Sequence, residues 1–497
     1  MRVIVVGAGM GGLAAAADLA RQGCEVTVLE AAASPGGKMR HVEVAGRGVD
    51  AGPTVFTMRW IFEGLFADAG QRLTDHLTIA PSDLLARHAW RAGGRLDLFA
   101  DIERSAEAIA EFASPADAQG YRDFCARSAA IHDTLVEPFI ASERPSMLDL
   151  VRRVGDLGAL WRTMPMRTLH SALGVHFRDA RLRQLFARYA TYVGSSPFLA
   201  PATLMLVAHV EQDGVWQVRG GMRAVALALH RLAEGQGASF RFNAPVERVL
   251  VEGGRAAGVR LAGGEELHAD AVVFNGDVSA LPALGAGGVA TPRAKRSLSA
   301  ITWCVNAPTS GFDLAHHNVF FAEDYAAEFD AVFKRRRVAE APTVYICAQD
   351  RGAVGEAPVP GAPERLLVLV NAPPDGDVAR FDASAEEARA FALLEACGLE
   401  VEREGMVATT PEGFHALFPA TGGALYGRAN HGMAGSFARP GARGPLPGLY
   451  LAGGSAHPGP GIPMAAMSGR LAAARLLEDR AGRSRPVQGL GLQARTR

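Results

Sequence analysis

Lysine is nearly missing from this chain. Residues 38, 295 and 334 are its three lysines, against 48 arginines. Such an imbalance fits a codon bias and says little about function, although it makes Lys38 conspicuous. Cysteine is scarce and scattered, with five residues at 24, 125, 304, 347 and 397 and no CxxC pair. That spacing excludes an obvious disulfide framework or metal motif and suits a reducing compartment. A net charge of −1 provides no basic excess for a polyanion, so nucleic acid is not an expected partner. No apolar run reaches the length of a membrane span; the longest candidate, 197–210, is short and contains Pro201. No signal-peptide pattern precedes the first strand, and a cytoplasmic protein is expected. At 497 residues, 48% apolar and 21% charged, the chain is too long for one simple core. Two large domains, or one domain interrupted by another, are expected.

The first thirty residues organise the rest. Arg2-Val3-Ile4-Val5-Val6 reads as a strand buried on both faces. Gly7-Ala8-Gly9-Met10-Gly11-Gly12 follows, then an Ala-rich helix ending before Gly23, then a second strand, Glu25 to Glu30. In this GxGxxG spacing Gly7 permits the tight turn, Gly9 admits a pyrophosphate, and Gly12 lets helix and strand pack closely. The helix start offers free N–H groups to phosphate. Glu30, at a strand end, is where a carboxylate accepts hydrogen bonds from a ribose. Strand, glycines, helix, strand and terminal acid together point to dinucleotide binding.

Further along, Ser34-Pro35-Gly36-Gly37-Lys38 can wrap a second part of the pyrophosphate or make a plain surface turn. Helical spacing follows over 60–73, and residues 77–100 read as strands with a hairpin at Gly93-Gly94. Residues 102–210 look helical, too much material for a crossover within one sheet. After Val215 come a helix over 223–234, strands at 239–242, 246–252 and 257–261, and the apolar strand 269–275. The chain there returns to the nucleotide domain. A second excursion, 280 to about 440, contains strands at 343–347 and 365–370 and a helix over 384–397. Its run Lys334-Arg335-Arg336-Arg337 reads as a solvated helix end. Strand 448–454, the loop Ser455-Ala456-His457-Pro458-Gly459-Pro460-Gly461 and a helix from Ile462 repeat the strand–loop–helix arrangement, with bare N–H groups at the helix start. His457 is either a catalytic acid or base or, more simply, a residue that orders its own loop. The last residues, 480–497, read as a frayed tail.

Residues 150–190 stand apart. They hold eight arginines and two acids, interleaved with Leu160, Trp161, Met164, Met166, Leu169, Phe177 and Phe186. Basic amphipathic helices of this composition can lie in the headgroup layer of an anionic bilayer; a solvated arginine face around an ordinary core is the competing reading.

The amino-terminal unit, Gly36-Gly37-Lys38, residues 269–277 and residues 448–462 together resemble the FAD-dependent carotenoid desaturases of bacterial phytoene-desaturase type, relatives of the amine oxidases. The most specific match is Leu451-Ala452-Gly453-Gly454-Ser455-Ala456-His457-Pro458-Gly459-Pro460-Gly461-Ile462-Pro463. Leu314-Ala315-His316-His317-Asn318 and residues 345–350 are also family-like. Ala456, Pro460 and Met464 depart from the commoner signature, near the flavin loop. The likeness is greatest to members that act late, on 1-hydroxycarotenoids, adding the 3,4 double bond in spheroidene-type synthesis.

The resemblance implies an α/β fold: a Rossmann-like FAD-binding domain of the amine-oxidase/glutathione-reductase-like superfamily, interrupted by a mixed α+β substrate domain. FAD binding would fall to 1–76, 215–280 and 441–479, and the substrate domain to 77–214 and 281–440. FAD is the implied cofactor and an acyclic carotenoid the implied substrate, with flavin N5 as hydride acceptor. Oxygen or a quinone would reoxidise the flavin, and the protein would lie peripheral to the inner or photosynthetic membrane. By motif match, Gly7, Gly9, Gly12, Gly37 and Lys38 would meet the pyrophosphate region and Glu30 the ribose. Val246 to Val249 would pass the adenine, with Asp277 nearby, and Gly454, Ile462, Pro463 and Met464 would flank the flavin. No metal is required and no protein base stands out. Phytoene desaturase, carotenoid isomerase and saturase remain alternatives within the superfamily. A non-catalytic lipid-binding chaperone of the same fold is the alternative of another class. An amine oxidase is disfavoured because the carboxy-terminal loop lacks the cysteine that often anchors FAD there.

Overall fold

The valine-rich amino terminus is buried on both faces, so it requires a sheet covered on both sides. The computed structural model, which describes residues 1–355, 359 and 361–482, puts it at the centre of one. Strand β1 (Arg2–Val6) is flanked by β2 (Glu25–Leu29) and β4 (Ala271–Phe274), with β3 (Ser239–Arg241) and β5 (Leu449–Leu451) at the edges. All four pairings are parallel; Val3 to Val6 align with Val26 to Leu29 on one side and Ala271 to Phe274 on the other. The strand at 239–241 therefore belongs to this sheet, as its fifth member, and not to the meander that follows.

Helix α1 (Met10–Arg21) is buried at every residue from Met10 to Ala20. It packs between α2 (Met222–Gly235) and α3 (Ile462–Arg480). A helix covered on so many sides tolerates only small side chains, which is the physical reason for Ala14-Ala15-Ala16-Ala17. At the crossing of α1 and α3 a Cβ on Gly469 would lie 2.0 Å from the Gly11 carbonyl oxygen, so the two backbones touch.

A second, seven-stranded sheet runs in the order 407–409, 299–307, 364–372, 344–348, 317–321, 84–90, 95–99. It is antiparallel except where Asn318 to Phe321 pair with Arg87 to Trp90. Helices between Ile102 and Asp213 pack on it around Phe124, Phe177, Phe186 and Phe321. The helix expected over 60–73 spans Arg59–Asp68. Gly70, at φ +73°, ends it, with its N–H on Ala67 and that of Gln71 on Phe66. The charge run at 334–337 is not simply solvated: Arg336 folds back onto Asp375, whose side chain is 1% exposed, and Arg293 grips the same carboxylate at 2.7 and 2.8 Å. All five cysteines are free and buried. No helix among the described residues is long and apolar enough to cross a membrane. The tail expected at 480–497 falls, from residue 483, outside the described residues.

Candidate functional site

Segments from opposite ends of the chain converge at the carboxyl ends of β1, β4 and β5. Gly7 turns out of β1 at φ +97°, its N–H donating to the Leu29 carbonyl at 2.7 Å. A Cβ on Gly12 would lie 2.0 Å from the Gly7 carbonyl oxygen, and one on Gly9 would lie 2.9 Å from Asn275 Nδ2. At Gly11 a Cβ would meet Gly453 N at 2.6 Å, so this glycine is where the carboxy-terminal loop docks on the amino-terminal turn. Gly453 is held in turn by its N–H donating to Ser468 Oγ at 2.6 Å. Asn275 stands among these backbones and donates to the Gly7 carbonyl at 3.1 Å. It follows the strand that lies beside β1, inside the family-like stretch 269–277, yet no spacing in the sequence ties it to the glycine turn.

These loops line one end of a cavity of about 1230 Å³. That exceeds the roughly 300–1,000 Å³ of ordinary ligand pockets, leaving room for a dinucleotide and a second, long occupant. Glu30 borders it, its carboxylate fixed by the N–H groups of Ala8 at 2.6 Å and Ala32 at 2.9 Å. Gly37 and Lys38 border it too, and Gly36 closes over the turn through its N–H to the Ala8 carbonyl at 2.9 Å. The Lys38 ammonium donates to the Leu425 carbonyl and lies 5.3 Å from the Phe418 ring centroid. Burial holds its pKa below the usual lysine value, with Asp277 partly opposing. Asp277 is on the wall, capping the turn at Val278–Ala280 by accepting from Ser279 N at 2.9 Å. Gly454 and, at the start of α3, Ile462, Pro463 and Met464 complete this end.

Two expected residues lie elsewhere. Gly12 serves the packing of helix on strand and is not on the wall. Val246 borders the cavity but Val249 does not; it is 1% exposed, packed with Ala256 and Val259 in the core beneath. A register shift after Val246 keeps both valines on the face that meets this core, with Val246 at its edge and Val249 inside it. His457 orders its loop: its Nε2 pairs with the Phe139 carbonyl at 2.8 Å, and burial pushes its pKa down to about 4. The loop's other support is Arg439, 1% exposed, donating to the carbonyls of Tyr426 and Gly454 at 3.0 Å. Burial lowers its pKa to about 10. Nothing in the local sequence distinguishes it from the other arginines.

The rest of the wall is mainly apolar, with Leu135, Phe139, Leu150, Val151, Leu160 and Val207 among its residues. Leu157 and Trp161 line the cavity and are also 70% and 73% exposed, so it reaches the surface between the helices Met147–Val154 and Leu157–Arg162. The basic segment divides there. Leu169, Phe177 and Phe186 are core, whereas Trp161, Met166 and Arg152, Arg153, Arg162 and Arg167 are exposed. One part of the wall is polar, where Arg188, Tyr192, Glu211, His317, Tyr325 and Tyr345 gather. The sequence carries no metal spacing, yet the fold brings His316, His317 and Cys347 together with ligand atoms within 4.8 Å. His316 Nδ1 already pairs with the Arg351 carbonyl at 2.7 Å and His317 Nδ1 with Tyr345 Oη at 2.8 Å.

Residues 10–477 match the model of the flavin containing amine oxidoreductases. Hydroxyneurosporene desaturase of Rubrivivax gelatinosus is 56% identical, the alignment covering 98% of this chain and 95% of that protein. The protein of the same name from Cereibacter sphaeroides is 47% identical over 97% and 99%. Among solved structures, putrescine oxidase bound to putrescine superposes with a TM-score of 0.62 over 97% of this chain and 99% of that one. At 17% identity this last likeness concerns the fold alone. Full-length similarity, the glycine cradle and the docked carboxy-terminal loop agree: the chain belongs to the flavin containing amine oxidoreductase family, in the branch that holds the hydroxyneurosporene desaturases.

Proposed function

We propose that this protein is an FAD-dependent desaturase of acyclic carotenoids, and that its substrate is a 1-hydroxylated carotenoid that gains the 3,4 double bond. The observation that carries the reading is the cavity of about 1230 Å³, largely apolar in its walls, that is continuous with a dinucleotide cradle. The glycine contacts leave backbone where a pyrophosphate has to approach, and Glu30 holds an oriented carboxylate at the strand end, so the residues present fit FAD. In this reading Gly7, Gly9, Gly37 and Lys38 serve the pyrophosphate region, Glu30 the ribose and Val246 the adenine, with Asp277 nearby. Gly454, Ile462, Pro463 and Met464 serve the ring. The division into FAD-binding segments 1–76, 215–280 and 441–479 and substrate segments 77–214 and 281–440 belongs to the same proposal.

FAD, when bound, supplies a two-electron acceptor at its N5, with oxygen or a quinone as final oxidant. The chain itself contributes position and a dry environment. Apolar walls strip water from a hydrocarbon and hold one CH–CH unit beside the ring, so selectivity comes from placement. The start of α3 borders this end of the cavity, and the positive end of a helix there would favour negative charge on a bound ring.

The apolar mouth fits entry from lipid. Leu148, Leu157, Trp161 and Met166 project beside Arg152, Arg153, Arg162 and Arg167, a composition suited to an anionic headgroup layer. We therefore propose peripheral attachment to the membrane that stores the carotenoid. To test the function, the FAD-loaded protein is incubated with hydroxyneurosporene, neurosporene and phytoene plus an acceptor. Gain of one double bond in the hydroxylated substrate is expected; a protein that takes up no flavin, or leaves all three unchanged, overturns the assignment.

A further inference from the structure

A cavity for a pure hydrocarbon has no use for charge, yet this one contains a buried cationic and phenolic cluster assembled from five separate elements. Arg188 follows the helix Ala180–Ala187, Glu211 lies on Leu206–Asp213, and Tyr325 opens Tyr325–Asp330. His317 and Tyr345 come from neighbouring strands of the seven-stranded sheet. Arg188 Nη2 donates to Tyr192 Oη at 2.9 Å. Tyr192 and Tyr189 donate to the two oxygens of Glu211 at 2.8 Å each. Tyr345 Oη is paired with Thr54 Oγ1 at 2.7 Å and His317 Nδ1 at 2.8 Å. The Arg188 guanidinium lies 5.1 Å from the Tyr192 ring and 5.9 Å from that of Tyr345.

One member is unsatisfied. Tyr325 is 7% exposed, its Oη has no hydrogen-bond partner among the described residues, and it is on the cavity wall. Its ring is clamped edge-on by Phe329, with centroids 4.9 Å apart at 90°, and by Phe321 at 6.1 Å and 84°. The hydroxyl cannot swing away to find a partner, and a buried polar group without one is costly unless a ligand supplies it.

We propose that the Arg188–Tyr192–Tyr325–Tyr345 cluster is the specificity site for an oxygen-bearing substrate end, with Tyr325 Oη as the group that bonds the substrate's hydroxyl. The inference rests on the desaturase reading and deepens it. In a 1-hydroxylated chain that reacts at its 3,4 bond, the oxygen is only three or four bonds from the reacting carbons, about 4–5 Å. The hydroxyl site must therefore lie close to the flavin end of the cavity. Tyr426 makes that link: its ring packs on Gly194, two residues after Tyr192, where a Cβ would come within 2.5 Å, and Arg439 joins its carbonyl to that of Gly454 at 3.0 Å each. Apolar walls elsewhere take the polyene. Burial raises the pKa of Glu211, with Arg188 and the two tyrosines opposing; the acid anchors the tyrosines and is a positioning residue.

The test compares kcat/KM for hydroxyneurosporene and neurosporene in FAD-loaded wild type, Tyr325→Phe and Tyr345→Phe. Phenylalanine keeps the ring packing, and flavin content and thermal unfolding check the fold. In wild type the hydroxylated substrate should be preferred. In Tyr325→Phe that preference should fall about tenfold or more, mainly through KM, and Tyr345→Phe should lower it as well. Equal losses on both substrates, or a wild type that does not distinguish them, overturn the proposal while leaving desaturation intact. If neither substrate is turned over, the desaturase reading fails. Carotenoid binding, read by quenching of tryptophan fluorescence, then decides the hydroxyl site: a preference that Tyr325→Phe abolishes supports it, and equal binding of both overturns it.

Discussion

At the scale of single residues, what could be read in advance was what leaves a local pattern. Gly7, Gly9 and Gly12 announce themselves by spacing, and each has a steric reason in the fold; Gly12 cannot carry a Cβ because the Gly7 carbonyl oxygen would be 2.0 Å away. Asn275, Arg439 and Tyr325 leave no such pattern, since the fold makes each functional: Asn275 meets Gly7, 268 positions away, and Arg439 bridges the carbonyls of Tyr426 and Gly454 across loops of no set spacing. Asp375 is the same kind of residue. Its carboxylate is shared by Arg293 and Arg336, and although burial alone would raise its pKa, the two guanidiniums hold it below the usual carboxylate range. A carboxylate with a depressed folded-state pKa stabilises the protein fully above its unfolded value, near 4, and loses that contribution as pH falls through the folded value. Asp375→Asn should therefore cost about 3 kcal/mol at neutral pH. In denaturant titrations the gap to wild type should narrow only below about pH 4. A gap that is constant down to pH 3 would mean that the ion pairs contribute nothing.

At the scale of elements, helix α3 closes the nucleotide-binding unit by crossing α1 at Gly469 and Gly11. The periodicity of both helices is legible from the sequence; their mutual contact is not, because 452 positions separate the partners in its central ion pair. That pair is Arg470, 4% exposed on its side chain, reaching Asp18 on α1 at 3.0 Å and Asp68 at the end of the helix Arg59–Asp68. Asp18 keeps Arg21 as a second partner, at 3.5 Å and more exposed. Arg470→Met fills similar volume but leaves the buried Asp18 carboxylate only its longer contact with Arg21, and the expected loss is about 3 kcal/mol, the low end for a broken buried pair. Since α3 begins at the flavin end of the cavity, the variant should also lose bound flavin, measured as flavin absorbance per protein. Weakened folding with full flavin content would show that the crossing and the cradle are independent. The segment 239–241 is the converse case: its β character is plain, but its place as fifth strand of the parallel sheet depends on pairing with β2 and on no feature of its own.

Across the whole molecule, the cavity joins three environments: the dinucleotide cradle, a polar cluster beside it, and an apolar mouth at the surface. The proposed entry of a hydrocarbon from a bilayer requires a mouth whose exposed apolar residues lipid would cover. Composition alone could not say which of these side chains face outward, because the segment mixes exposed and core positions. Phe177 and Phe186 are core, Arg181 pairs with Asp179, and Arg188 faces the cavity. The outward part is narrower, carried by the two helices Met147–Val154 and Leu157–Arg162 and the turn that follows. Leu148 and Met166, 69% and 74% exposed, flank the mouth without lining the cavity, so they isolate attachment from substrate contact. Each apolar side chain buried in lipid contributes about 1.5–3 kcal/mol. Leu148→Glu with Met166→Glu removes both contributions and adds two charges repelled by anionic headgroups. Flotation with vesicles of mixed neutral and anionic lipid should show binding reduced tenfold or more, with flavin content and melting temperature preserved. Desaturation of vesicle-borne substrate should fall more than that of detergent-dispersed substrate, because only the first depends on docking. Equal flotation of wild type and double variant would mean that the mouth meets something other than a membrane.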